Sequence, residues 1–124
     1  MSQLAFIALG GALGAVSRFL VSNGVYALLG RGFPWGTLAV NMLGSLAMGV
    51  LAILLLERIT VSSELRGLLL VGFLGAFTTF STFSIETLNL IEEGALMRAG
   101  LNAVLSVVLC LAAAWLGVFI GRQL

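Results

Sequence analysis

The placement of charge limits this chain more than any other feature. Six Arg and five Glu are its only fully charged side chains, and they leave residues 1–17, 19–30, 32–56, 67–85 and 99–121 uncharged. Hydrophobic residues make up 60% of the chain and charged residues 9%, against about 25% charged in an ordinary soluble domain. Too few polar groups remain to cover a core in water. The sequence therefore reads as an integral membrane protein in a lipid bilayer.

A spanning helix needs about 20 mostly apolar residues. Stretches 32–56 and 99–121 are long enough alone. Only Arg18 separates the first two stretches, so residues 4–29 read as one span with an Arg inside it or near its end. The stretch from 67 continues past Glu86 to Ile91. The spacing predicts an all-α membrane protein of four transmembrane helices, at about 4–29, 36–56, 67–91 and 98–121, in a single domain over 1–124. The apolar runs are continuous rather than alternating, which excludes a β-barrel reading. The first residues lack a basic segment and a small-residue cleavage site, so they read as a span and not as a leader. With no His and only Cys110, His- and Cys-based metal sites, a His-based triad and an intrachain disulfide are excluded. A net charge of +1 leaves no footprint for nucleic acid.

Four spans put both ends of the chain on one side, with Arg58, Arg66 and Arg122. Arg31 and Arg98 fall on the other side, and Arg18 leans towards it. Cytoplasmic loops normally carry an excess of Lys and Arg, and here neither side has one. The balance fits a chain that inserts both ways and pairs head to tail. It also fits a weakly biased chain that inserts one way for other reasons.

Polar groups inside spans are costly and usually face protein or water. Span one carries Gly10-xxx-Gly14, a small-residue face for close helix contact, followed by Arg18. Arg18 either snorkels to the interface or draws anions into a vestibule. On span two, Thr37, Asn41 and Ser45 share one stripe. They read either as interhelical hydrogen bonds or as a polar pathway. Span three reads Gly72-Phe-Leu-Gly-Ala-Phe-Thr-Thr-Phe-Ser-Thr-Phe-Ser-Ile-Glu86. Glycines before the β-branched pair Thr78-Thr79 weaken the helix, so a break is expected near residues 75–79. The alternative is a continuous helix whose hydroxyls bond back to their own i−4 carbonyls. Phe77, Phe80 and Phe83 recur every three residues. Such a stripe packs, or offers positive ring edges to an anion. Glu86, one turn on, is either functional or an interface hydrogen bond. On span four, Asn102, Ser106 and Cys110 form a polar stripe, and Ala113, Gly117 and Gly121 a packing stripe.

Gly10-Gly11-Ala12-Leu13-Gly14-Ala15 with Arg18, Gly36-Thr37-Leu38 through Asn41 and Gly44, and Gly72 through Phe83 together resemble the Fluc (CrcB) fluoride channel family. The likeness covers essentially the whole chain, and the third-span motif is its specific part. Ala76 stands where the family often has Gly, and Cys110 where a hydroxyl can occur. The resemblance implies an antiparallel dual-topology homodimer in a bacterial plasma (inner) membrane. Such a dimer passes fluoride passively out of the cytoplasm through two pores. It implies that Phe80 and Phe83 form an aromatic box, that Asn41 lines the pathway, and that Thr37, Ser81 and Thr82 supply a polar track, with Ser106 a further candidate. Arg18 and Glu86 are candidate vestibule or interface charges. By the same match, backbone carbonyls of Gly75 and Thr78 from both subunits would hold a central structural Na⁺. No catalysis is needed. Fluoride enters as the weak acid HF, dissociates inside, and is driven out by a negative interior. The alternative is a small multidrug-resistance-like proton-coupled transporter, which shares size and span count. Its coupling needs a Glu in the first span, where this chain has Arg18.

Overall fold

The computed structural model describes residues 2–124, and every regular element among them is helical. Helix α1 is Gln3–Leu29 and α2 is Trp35–Arg58. The third span, Ser63–Glu92, divides into α3 (residues 63–77) and α4 (Phe80–Glu92). Helix α5 is Leu96–Gln123. Four spans are thus long and apolar enough to cross a membrane, where the uncharged stretches place them. The second runs on to Arg58 because its last turn, Leu54–Arg58, widens to i→i+5 bonding before Ile59 turns extended.

The connections are short and carry ordinary stop and start signals. Gly30 ends α1 with φ 82° while its N–H donates to the Tyr26 carbonyl at 2.8 Å. Only glycine takes that backbone at no steric cost. Gly94 does the same between α4 and α5, also at φ 82°. Ser62 starts α3 by accepting from the Leu65 N–H at 3.1 Å.

Lipid tails are as apolar as leucine, so helix contact here depends on close packing rather than on escape from water. Glycine supplies that closeness. Gly10 lies against the Leu68 carbonyl and Gly14 against the Phe73 carbonyl, with no room for a Cβ at either. Gly72 replies from α3, where a Cβ would meet the Ile7 carbonyl at 2.5 Å. Gly49 of α2 and Gly117 of α5 cross in the same manner, and Gly121 sits on Ile53. The stripes 10/14 and 117/121 are therefore packing faces. Few large side chains are enclosed. Leu38, Val40, Ile53, Leu74 and Phe77 are buried, and Asn102 is fully so. Leu28, Met97, Leu111 and Trp115 face outward, where lipid is the solvent.

Candidate functional site

The third span breaks at Thr78 and Thr79, both in extended conformation, with φ −90° and ψ 159°, then φ −154° and ψ 118°. This is the expected place, and the broken backbone finds partners elsewhere. Asn41 on α2 reaches across with its whole carboxamide. Its Nδ2 donates to the Thr79 carbonyl at 3.1 Å, and its Oδ1 accepts from the Thr79 N–H at 2.8 Å. The Thr79 hydroxyl then caps α4 by accepting from the Thr82 N–H at 3.2 Å. Arg18 enters from α1, and its Nε donates to the Ala76 carbonyl at 3.0 Å.

In an unbroken helix the carbonyls of Gly75 and Thr78 would accept from the amides of Thr79 and Thr82. Both of those amides are engaged by side chains instead. The two carbonyls lose their regular partners, which makes them suitable neutral oxygen ligands for a hard cation. The donor set thus fits a sodium ion.

Back-bonding of hydroxyls occurs as well. Thr78 donates to the Leu74 carbonyl at 3.0 Å, Ser84 to Phe80 at 2.9 Å and Thr87 to Phe83 at 2.8 Å. The continuous-helix alternative therefore fails at the extended Thr78–Thr79 pair, although hydroxyls at the break and beyond it do bond back to their i−4 carbonyls.

Beside the break lies an open groove of about 520 Å³ between α2, α4 and α5. Asn41, Ser45, Phe80, Phe83, Ser106 and Cys110 line it, with Gly44 and Thr78 at its floor. Gly44 is needed there because the Thr78 methyl fills the space of a Cβ. The Phe80 and Phe83 rings lie 5.4 Å apart between centroids at 43°. Phe83 is half-buried while Phe80 is 77% exposed, so one chain leaves the groove unwalled on that side. Both rings sit on the first turn of α4, next to the positive end of its helix dipole. The groove therefore offers an anion an amide, a hydroxyl, ring edges and a helix N-terminus, with no fixed positive charge in its lining.

A second, polar cavity of about 310 Å³ lies among Tyr26, Arg31, Glu86, Asn89, Glu93 and Arg98. Tyr26 donates to Glu86 Oε2 at 3.1 Å and lies 3.4 Å from the Thr37 hydroxyl. The Arg31 guanidinium sits over the Tyr26 ring at 4.5 Å. The second Glu86 oxygen, Oε1, is buried without a protein partner.

The structure thus brings Asn41, Phe80, Phe83 and Ser106 to one groove. Thr37 is buried and meets the Tyr26 hydroxyl, which in turn donates to Glu86; it lines neither cavity. Ser81 and Thr82 lie at the start of α4, within 3.4 Å and 3.0 Å of the Thr79 hydroxyl, and not in the groove lining. Arg18 and Gly75 belong to the break. Sequence reasoning passed over Tyr26. Its signal was a lone Tyr inside an apolar span, since a buried phenol normally finds a partner. Asn102 was seen, but its partner was not. It donates to Thr87 at 2.9 Å and accepts from Ser106 at 3.4 Å, tying α5 to α4 and setting the Ser106 hydroxyl.

Residues 5–118 match the model of the family described as CrcB-like protein, Camphor Resistance. The chain belongs to the CrcB family. It is 59% identical over 120 residues to a protein of Magnetococcus marinus, covering 97% of this chain and 98% of the relative. It is 51% identical over 124 residues to one of Geobacter sulfurreducens, covering all of both chains. A Methylococcus capsulatus relative is 59% identical over 118 residues, 95% of this chain, and there the match spans only 52% of the relative's length. All three carry the name fluoride-specific ion channel FluC. This CrcB member is an integral, multi-pass membrane protein, and its named relatives are channels rather than enzymes.

Proposed function

We propose that the chain is a passive fluoride-selective channel of a bacterial plasma membrane, assembled as an antiparallel dual-topology homodimer with two pores. The observation that carries this reading is the groove. It gathers Asn41, Phe83 and Ser106 from three helices into one lining and leaves Phe80 projecting from its open side. A second copy supplies the missing wall and completes the aromatic box. The FluC name of relatives at 51–59% identity supports fluoride as the permeant ion.

Fluoride holds its water strongly, so a pore must offer donors in exchange and still release the ion. The free Nδ2 hydrogen of Asn41 and the edges of Phe80 and Phe83 can do so without the trap a full charge would make, while Ser106, whose hydroxyl donates to Asn102, lines the path. Arg18 is tied to the break through the Ala76 carbonyl, and the Arg31/Arg98 cavity also holds Glu86 and Glu93, so neither sets an unopposed positive charge in the pathway. The carbonyls of Gly75 and Thr78 from both subunits would hold a central Na⁺, which would supply a fixed positive field. The protein's own part is to keep those carbonyls unbonded.

The test is purified protein in liposomes loaded with fluoride, with efflux followed by an electrode. Rapid fluoride efflux with chloride retained is expected. Absence of flux from a well-folded preparation would overturn the channel reading. Cross-linking should join two chains related by an axis in the membrane plane, and a parallel dimer would refute the assembly.

A further inference from the structure

Asn41 does more than line a groove. Its Oδ1 and one Nδ2 hydrogen are committed to the two backbone groups of a single residue, Thr79. A carboxamide presents donor and acceptor side by side, as a peptide group does. The contact therefore resembles one rung of strand pairing, made between a side chain and an extended backbone. Thr79 has the extended conformation that such a rung needs. A helix continued through this point would instead send the Thr79 N–H to the Gly75 carbonyl. The second Nδ2 hydrogen of Asn41 is left for the groove that the residue lines.

We propose that Asn41 is a positioning residue for the cation site: by holding the Thr79 amide it keeps the Gly75 carbonyl free to face an ion. The assignment rests on the sodium reading above and is separate from donation to fluoride in the groove. Ala76 is different, because its carbonyl is taken by Arg18. The Gly75 carbonyl is therefore the one whose freedom depends on Asn41. Aspartate at 41 still accepts from the Thr79 N–H whether or not it is protonated. Alanine offers nothing, and the Thr79 amide can then close onto Gly75.

Thermal unfolding of the purified dimer in sodium chloride, against equal N-methylglucamine chloride, separates the possibilities. Wild type should be stabilised by sodium. Asn41→Ala should need about tenfold more sodium for the same stabilisation, since the ion must displace a hydrogen bond. Asn41→Asp should keep a sodium response at least as strong as wild type, since its carboxylate still holds the Thr79 amide and attracts a cation, even though its fluoride flux falls. A purely structural role would lower the melting temperature equally in both salts. A full sodium response in Asn41→Ala overturns the proposal and leaves the sodium reading standing. If Asn41→Ala fails to fold, loss of the response in a folded Asn41→Asp overturns it instead. No sodium response in wild type refutes the sodium reading, and the positioning role with it.

Discussion

The two halves of the third span are held by different forces. Helix α3 is locked to α1 through backbone contacts at Gly10, Gly14 and Gly72. Helix α4 is held by side-chain hydrogen bonds: Asn41 to Thr79, Tyr26 to Glu86 and Asn102 to Thr87. Glycine packing fixes depth and register and tolerates no added atom. Hydrogen bonds fix rotation and direction, and each can be altered singly. The half that carries Phe80 and Phe83 is thus the half whose attachments are adjustable. The half that anchors it is the one with no slack.

The comparison breaks most severely at Gly14. A Cβ there meets the Phe73 backbone rather than a movable side chain. Gly14→Val should cost about 3 kcal/mol or more. Its readout is loss of the monodisperse peak on size exclusion, and full recovery of folded protein would show that α1 and α3 can separate.

On the α4 side the largest effect should be on flux. Asn41→Asp is nearly isosteric, but it replaces the amide donor and can add negative charge. An ionised carboxylate repels fluoride strongly at short range in a low-dielectric groove. Flux near neutral pH should fall by most of its wild-type value and rise again as pH drops, because protonation removes the repulsion. Wild-type flux at neutral pH with a matched elution profile would take Asn41 out of the pathway.

Phe80→Ile and Phe83→Ile keep apolar bulk and lose the positive ring edge. Flux should drop roughly tenfold at one or both positions, in line with the modest energy of ring-edge contacts. Dimer stability should stay level. Unchanged flux in both single variants and in the double variant would leave the rings as packing alone.

Asn102→Leu removes the link between α5 and α4. It should lower stability by about 1 kcal/mol, the usual scale for a hydrogen bond between membrane helices. Paired with Thr87→Val in a double-mutant cycle, the two losses should be less than additive. Strict additivity would deny the bond between them.

The smallest effect should be at Gly11, beside Gly10, where the nearest atom to an added Cβ is 4.0 Å away. Gly11→Ala should change the melting midpoint by no more than about 0.5 kcal/mol equivalent. A large loss would mean that the close contact is broader than the 10/14 stripe.

Hydrophobic length and charge placement made the four spans legible, because the bilayer imposes both. The break was legible too, since two glycines precede adjacent threonines in an otherwise apolar segment. Periodicity also placed Gly10, Gly14, Gly117 and Gly121 on packing faces. It could not say which partner each polar residue meets. Thr37 and Asn41 share a stripe, yet Thr37 meets Tyr26 while Asn41 meets Thr79. Four residues on a helix are about 6 Å of depth, enough to face a different neighbour. Ser81 and Thr82 follow the break, and the extended pair turns the next helix by an angle no 3.6-residue period contains. Tyr26 and Asn102 pair with Glu86 and Thr87 on another element, and single-chain spacing carries no signal for that.

The break is written at a distance. Arg18 precedes Ala76 by 58 positions and Asn41 precedes Thr79 by 38. Made alone, the third span would have to satisfy its backbone within hydrocarbon by winding straight through residues 75–82. Its 30 residues would then form a rod of about 45 Å, against a hydrocarbon core of about 30 Å. The shape of the third span therefore depends on side chains that lie outside it, and no peptide cut from 63–92 should reproduce it.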